Sequence, residues 1–336
     1  MFYGRNCFKR GASAAIFTCG VFCLTLNLLH HYLAVVKKTD GEVPGEETRA
    51  QDPRSFSKED LTFLDEMNNR MFKRKILLKN TCKGLDSNLD HLSEMKLLIY
   101  EKYKLAYCFI PKSGCSNMKK LMLDIEGYNT TTLKNAEIHD VSQKYLRKGT
   151  PDNILKENYL KLIMVRQPYE RLVSSYNNKI RFPYNDQFSK FSKMMKELYG
   201  NTSQVQDTES TPSFEEFVKY VSDGRNQGFK NGGEMHWNTY TSLCNPCHVE
   251  YDVILHLETI KDDVRYLLKL IGAPDAYDFS RGYSKGGQSK TEQRNYLEKY
   301  FKQLTSSQKD KLYKAYEYDF KLFGYSPELT MQNNNV

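Results

Sequence analysis

Six apolar or aromatic residues, Leu105-Ala106-Tyr107-Cys108-Phe109-Ile110, run straight into a proline, a lysine and a cluster of small residues, Ser113-Gly114-Cys115-Ser116-Asn117. The apolar run predicts a buried strand, and Pro111 ends it because proline has no N–H for a ladder. From Ser116 the spacing of Met118, Leu121, Met122 and Ile125 predicts a helix. A strand, a tight small-residue loop and a helix N-terminus together cradle an anion. Backbone N–H groups point into the loop, the helix dipole favours negative charge, and Lys112 adds a full positive charge. A nucleotide-triphosphatase loop is excluded, because there the lysine follows the second glycine, whereas Lys112 precedes the only one.

A second unit of the same kind follows. Lys161-Leu162-Ile163-Met164-Val165 predicts another buried strand, and Arg166-Gln167-Pro168-Tyr169-Glu170-Arg171-Leu172-Val173-Ser174 starts a helix with proline just inside it. An arginine at a strand end and a serine two turns along the helix can grip one phosphate from two sides. Two such units in an α/β sheet suit a ligand with two separated phosphates.

These residues carry a family resemblance. Phe109 through Asn117 resembles the 5′-phosphosulfate loop of sulfotransferases, and Val165 through Ser174 resembles their 3′-phosphate motif. A third block, from His236-Trp237 through Leu243-Cys244-Asn245-Pro246-Cys247-His248 to Glu258-Thr259, is similar to the Golgi carbohydrate sulfotransferases. That group includes the chondroitin and dermatan 4-sulfotransferases and the natural-killer-epitope glucuronyl sulfotransferase. The resemblance implies an α/β, P-loop-like sulfotransferase fold with a central, mostly parallel sheet flanked by helices. It implies 3′-phosphoadenosine 5′-phosphosulfate as donor, no metal, and a glycan hydroxyl as acceptor. The 4-position of N-acetylgalactosamine in chondroitin or dermatan is expected. Glucuronic acid 3-sulfation and an inactive glycan-binding relative are the alternatives. Donor-binding residues are expected at Pro111, Lys112, Ser113, Gly114, Cys115, Ser116, Asn117 and from Arg166 to Ser174. Lys112 would neutralise the leaving oxygen. A sugar hydroxyl also needs a base. His139, placed like a histidine of the chondroitin 4-sulfotransferases, is the first candidate, with Glu137 and His236 behind it.

The chain ahead of these motifs reads as membrane targeting. Residues 11–36 hold no Lys, Arg, Asp or Glu, and are long enough to span a bilayer. Arg5, Lys9 and Arg10 precede them, which sets residues 1–10 in the cytoplasm. Bulky residues continue the run past any small-residue cleavage site, so a retained signal-anchor is expected rather than a cleaved peptide. The organisation that follows is a stem over 37–90, a lumenal sulfotransferase domain over 91–330 and a polar tail at 331–336. The stem holds one helix start, Ser57-x-x-Asp60, and a basic run, Arg70, Lys73, Arg74 and Lys75, that reads as a solvated face. Residence in the Golgi membrane, single-pass and type II, follows from this topology and the resemblance. Sequons at Asn129 and Asn201 agree with a lumenal address.

The formal charge of +8 fits an anionic nucleotide and an anionic polymer, but no Lys/Arg tract of a nucleic-acid arm is present. Five cysteines lie beyond the anchor: Cys82, Cys108, Cys115, Cys244 and Cys247. An odd set leaves a free thiol or an intermolecular bond, and Cys244-x-x-Cys247 reads as structural disulfide chemistry with partners left open. Trp237, Tyr240 and Tyr251 are candidates for stacking on sugar rings, with core packing as the alternative. Whether the chain pairs as a homodimer is open.

Overall fold

In the computed structural model the apolar run before Pro111 is a strand over four residues rather than six, because the chain leaves the sheet at Phe109 to build the loop. Residues 56–85, 95, 97–145, 147–149, 158–183, 185–200, 211–224, 234–274 and 290–328 are described. The expected anchor, Asn201 and the 331–336 tail lie outside them. Among the described residues no helix is long and apolar enough to cross a membrane. The described residues within 56–269 and 273–328 group as one body.

Its centre is a five-stranded sheet in the order β3-β1-β2-β4-β5, with β1 Leu97–Tyr100, β2 Leu105–Cys108, β3 Arg147–Gly149, β4 Leu160–Val165 and β5 Val253–His256. β2, β4 and β5 run parallel, whereas β1 is antiparallel to both β2 and β3. The sheet is therefore mixed, which corrects the mostly parallel expectation. β1 and β2 form a hairpin whose turn has Lys104 at φ 45°, and a two-stranded reversal this short cannot be parallel. The parallel half is the half that carries the motifs.

Both faces of the sheet are covered, which is why the strands read as continuous apolar runs. On one face Leu97, Ile99, Ala106, Cys108, Ile163, Val165 and Ile254 pack against residues of α1 (Lys58–Cys82), α7 (Tyr240–Cys244) and α10 (Ser306–Phe323). α2 (Cys115–Ile125) leads off the Lys112 loop, and α3 (Asn135–Tyr145) follows it. α4 (Pro168–Ser175) follows β4 and passes into a π-helical turn, Tyr176–Ile180. An aromatic cluster joins α4 and that turn to α5 (Asp186–Tyr199), α6 (Phe214–Ser222), α9 (Lys290–Phe301) and α10. α6 and α10 both start with full capping boxes, Ser213 with Glu216 and Thr305 with Gln308.

Helix α1 lies within the span expected as stem. Ser57 caps it as the sequence predicts, and it packs into the body. Buried Arg74 donates to Asp263 at 2.7 Å, to the Ile254 carbonyl at 2.7 Å and to Thr259 at 2.9 Å. It is not on a solvated face. Asp263 lies in α8 (Ile260–Leu270) and also accepts the His256 N–H, so one buried carboxylate joins α1, α8 and the end of β5. The cysteines complete the tie. Cys82 at the end of α1 is bonded to Cys247, and Cys108 at the end of β2 to Cys244, leaving Cys115 buried and free.

Candidate active site

The two loops that follow β2 and β4 lie side by side at the C-terminal ends of neighbouring parallel strands. In the first, Lys112 (φ 68°) and Gly114 (φ 86°) are left-handed, and between them the Ser113 N–H donates to the Ile110 carbonyl at 3.3 Å, which closes the turn. Gly114 is also the N-cap of α2 and brings no capping side chain, so the first-turn N–H groups are left for a ligand. Ser113 is buried under the loop. A Cβ on Gly114 would lie 2.9 Å from Leu257 Cδ1 and 3.2 Å from Met164 Cε, so the loop sits tight on β4 and the segment after β5.

The second loop is locked to the first by arginines. Arg166 Nη1 donates to the Lys112 carbonyl at 3.3 Å, while its Nη2 pairs with Glu170 at 3.1 Å. Arg171 is buried and donates to the carbonyls of Pro111 at 3.0 Å, Asn238 at 2.7 Å and Met235 at 3.0 Å. Tyr240 brackets the peptide of Arg166, accepting from its N–H at 3.2 Å and donating to its carbonyl. Gln167 caps α4 through the Glu170 N–H, and its own N–H donates to Glu258 at 2.7 Å.

The expected donor residues thus divide by orientation. Lys112, Gly114, Ser116, Asn117, Arg166 and Ser174 are at least partly accessible, whereas Pro168, Tyr169, Leu172 and Val173 face the core. Arg171 is a tie between loops rather than an open cation. Trp237, Tyr240 and Tyr251 are buried at 2%, 0% and 2% exposure, so none is placed to stack on a sugar. Trp237 sits edge-on to Phe191 and Phe217 instead.

Further residues that the motifs did not announce surround the Lys112 loop. The π-turn after α4 carries Asn178, whose Oδ1 accepts from Lys112 Nζ at 3.1 Å, and buried Lys179, whose Nζ lies 4.7 Å from the centre of the Phe188 ring. On the other side Lys119 is buried over Phe109 and meets His139 Nδ1 at 3.0 Å, while Ser116 Oγ meets His139 Nε2 at 3.0 Å. Burial, with Lys119 adding to it, holds the His139 imidazole down to about 4, so it is neutral at physiological pH. Glu137, the second base candidate, accepts the Lys134 N–H at 2.6 Å and so serves the start of α3. His236 bonds Glu234 through Nδ1 at 2.6 Å. Buried lysines leave no sequence signal, since a lysine inside and a lysine outside are written alike. Only the small extra turn of the π-helix marks Asn178 and Lys179. Among the described residues no group of acids, histidines and cysteines could hold a metal ion.

The two loops meet through Arg166 and Arg171, and comparison with known proteins gives the family. Residues 95–326 match the model of the sulfotransferase family. The chain is 36% identical over 250 residues to carbohydrate sulfotransferase 11 of Danio rerio, covering 71% of this chain and 68% of the relative. It is 29% identical over 274 residues to carbohydrate sulfotransferase 9 of Homo sapiens, at 76% and 59% coverage. To carbohydrate sulfotransferase 10 of Gallus gallus it is 28% identical over 278 residues, at 75% and 74%. No solved structure matches it. With its paired loops on adjacent parallel strands and a family match over most of its length, the chain belongs to the sulfotransferase family as an enzyme of sulfuryl transfer in the carbohydrate sulfotransferase group.

Proposed function

We propose that the protein transfers the sulfuryl group of 3′-phosphoadenosine 5′-phosphosulfate to the 4-hydroxyl of N-acetylgalactosamine in a chondroitin or dermatan chain. The observation that carries the donor half is the junction of the two loops, with Arg166 Nη1 3.3 Å from the Lys112 carbonyl. One molecule with phosphates at both ends can then touch both. The residues fit that donor: the first turn of α2, with no capping side chain, supplies N–H groups for the 5′ end, and Arg166 with Ser174 supplies a cation and a hydroxyl for the 3′ end. Support for the acceptor is the third sequence block and the 36% identity to a carbohydrate sulfotransferase 11.

The chemistry asks for in-line placement and for charge neutralisation where the leaving oxygen develops. Lys112 Nζ, which donates to Asn178 Oδ1 at 3.1 Å, supplies the cation for that oxygen. Arg166, fixed by Glu170 and by Tyr240 on its own peptide, keeps the nucleotide in register. The protein sits in the Golgi membrane with this site lumenal. Asn129, exposed and bonded through Oδ1 to Thr131 Oγ1 at 2.6 Å, is open to a glycan. A glycosidase-sensitive mobility shift that shrinks in Asn129→Gln and vanishes when Asn201 is replaced by Gln as well checks that address.

The assignment is tested with radiolabelled donor, a panel of desulfated glycans and disaccharide analysis of the product. Label at the 4-position of N-acetylgalactosamine is expected. Label at the 3-position of glucuronic acid moves the acceptor, and binding of glycan with no transfer removes the activity.

A further inference from the structure

Two imidazoles flank the Lys112 loop, and the structure leaves them in different states. At His139 both ring nitrogens are engaged, Nδ1 by Lys119 and Nε2 by Ser116. A lysine ammonium can only donate, so the lone pair is on Nδ1 and is directed at a buried cation, while Nε2 carries the proton toward Ser116. A base must offer its lone pair to the substrate, and here it is taken.

At His236 the arrangement is reversed. Glu234 Oε2 lies 2.6 Å from Nδ1 and also accepts the His236 backbone N–H at 2.9 Å. A carboxylate can only accept, so Nδ1 carries the proton and the lone pair is on Nε2. The hydrogen bonds of His236 to described residues run through Nδ1 and the backbone, and the ring is held edge-on to Phe188 at 5.4 Å. Burial lowers its pKa, Glu234 opposes that, and Lys179 of the π-turn and Lys112 of the loop lower it further. His139, on α3, is the other titratable neighbour. Contacts Lys112–Asn178, and Lys179–Phe188–His236 one residue along, connect this ring to the phosphate loop.

We infer that Glu234 and His236 are the general-base pair of the transfer, with His236 Nε2 accepting the proton of the acceptor hydroxyl and Glu234 as its positioning residue. His139 then ties Ser116 and Lys119 to the loop. This rests on the sulfotransferase reading. In the step, the hydroxyl proton passes to Nε2 and the acceptor oxygen bonds to sulfur. The bond from sulfur to the 5′-phosphate oxygen breaks, its electron pair stays on that oxygen beside Lys112, and the imidazolium returns its proton to water.

The test is the pH profile of kcat in three variants, with calorimetric binding of adenosine 3′,5′-bisphosphate as the control for an intact donor site. His236→Asn, whose amide can still donate to Glu234, is expected to lose at least about 100-fold in kcat and the acid limb with it, while binding the bisphosphate as wild type does. Glu234→Gln removes the group that raises the His236 pKa, so its acid limb moves to lower pH, a shift that a purely structural role would not give. His139→Asn keeps the limb. A His236→Asn enzyme within about twofold of wild-type kcat, or a limb lost in His139→Asn instead, overturns the inference. Wild-type protein that binds no bisphosphate removes the sulfotransferase reading itself, and this pair with it.

Discussion

Gly114 has to be glycine on two counts, a left-handed backbone and a neighbour at 2.9 Å from any Cβ. Gly114→Ala combines a strained φ with a clash against Leu257 and should cost about 1–3 kcal/mol, read as a lower urea midpoint together with weaker bisphosphate binding. Lys112 and Arg166 separate by role. Lys112→Ala is expected to lower kcat by about 100-fold or more with product affinity nearly kept, whereas Arg166→Ala should weaken that affinity by about 10-fold or more. Equal losses in kcat with affinity intact would reject the division. At this scale the motif residues were legible because loop chemistry is written in local order: a proline, a lysine, a glycine, a capped helix. Asn178 and Lys179 were not, since what brings them to the loop is packing between segments far apart in sequence, and Lys119 was not, since nothing in the order of α2 says that it is buried. Glu234 has the same history, being an unremarked acid until its carboxylate is seen on the His236 ring.

Helices follow sequence well when their reasons are local. Ser57 on α1 is predicted and observed as a cap, and α6 and α10 start on equally local capping boxes. What α1 packs against is not local, because Arg74 finds Asp263 across 189 positions. Arg74→Ala would leave that carboxylate buried without its closest cation, and a loss of about 3–5 kcal/mol in chemical denaturation is expected. α10 holds a second buried acid. Asp319 accepts the Tyr240 N–H at 2.8 Å, and burial, opposed by Arg171, pushes its carboxyl up to about 7. The native state then holds this proton more tightly than the unfolded chain. The stabilisation is full below about pH 4 and is lost as pH rises through about 7. Asp319→Asn cannot ionise, so its stability relative to wild type should rise between those values, as melting temperatures across pH will show. A relative stability that falls would contradict the shift.

For the whole molecule the difference lies at the margins. The sheet centre and the site follow from two buried runs and their loops, but the antiparallel hairpin at β1 and the docking of α1 rest on pairings that no periodicity announces. A fragment starting at residue 56 is expected to fold and bind the bisphosphate, whereas one starting at residue 91 loses α1 and orphans Cys247. It should aggregate or form disulfide-linked dimers on non-reducing gels. The same two bridges constrain the order of events on the ribosome. Cys82 and Cys108 emerge early, 26 positions apart, yet their native partners arrive only at Cys244 and Cys247, 136 and 165 positions downstream of their mates. A nascent chain in an oxidising environment can therefore close the wrong, nearby ring first. Any such ring has to be undone by thiol exchange before Cys244 and Cys247 find their partners, with Cys115 as a further competitor.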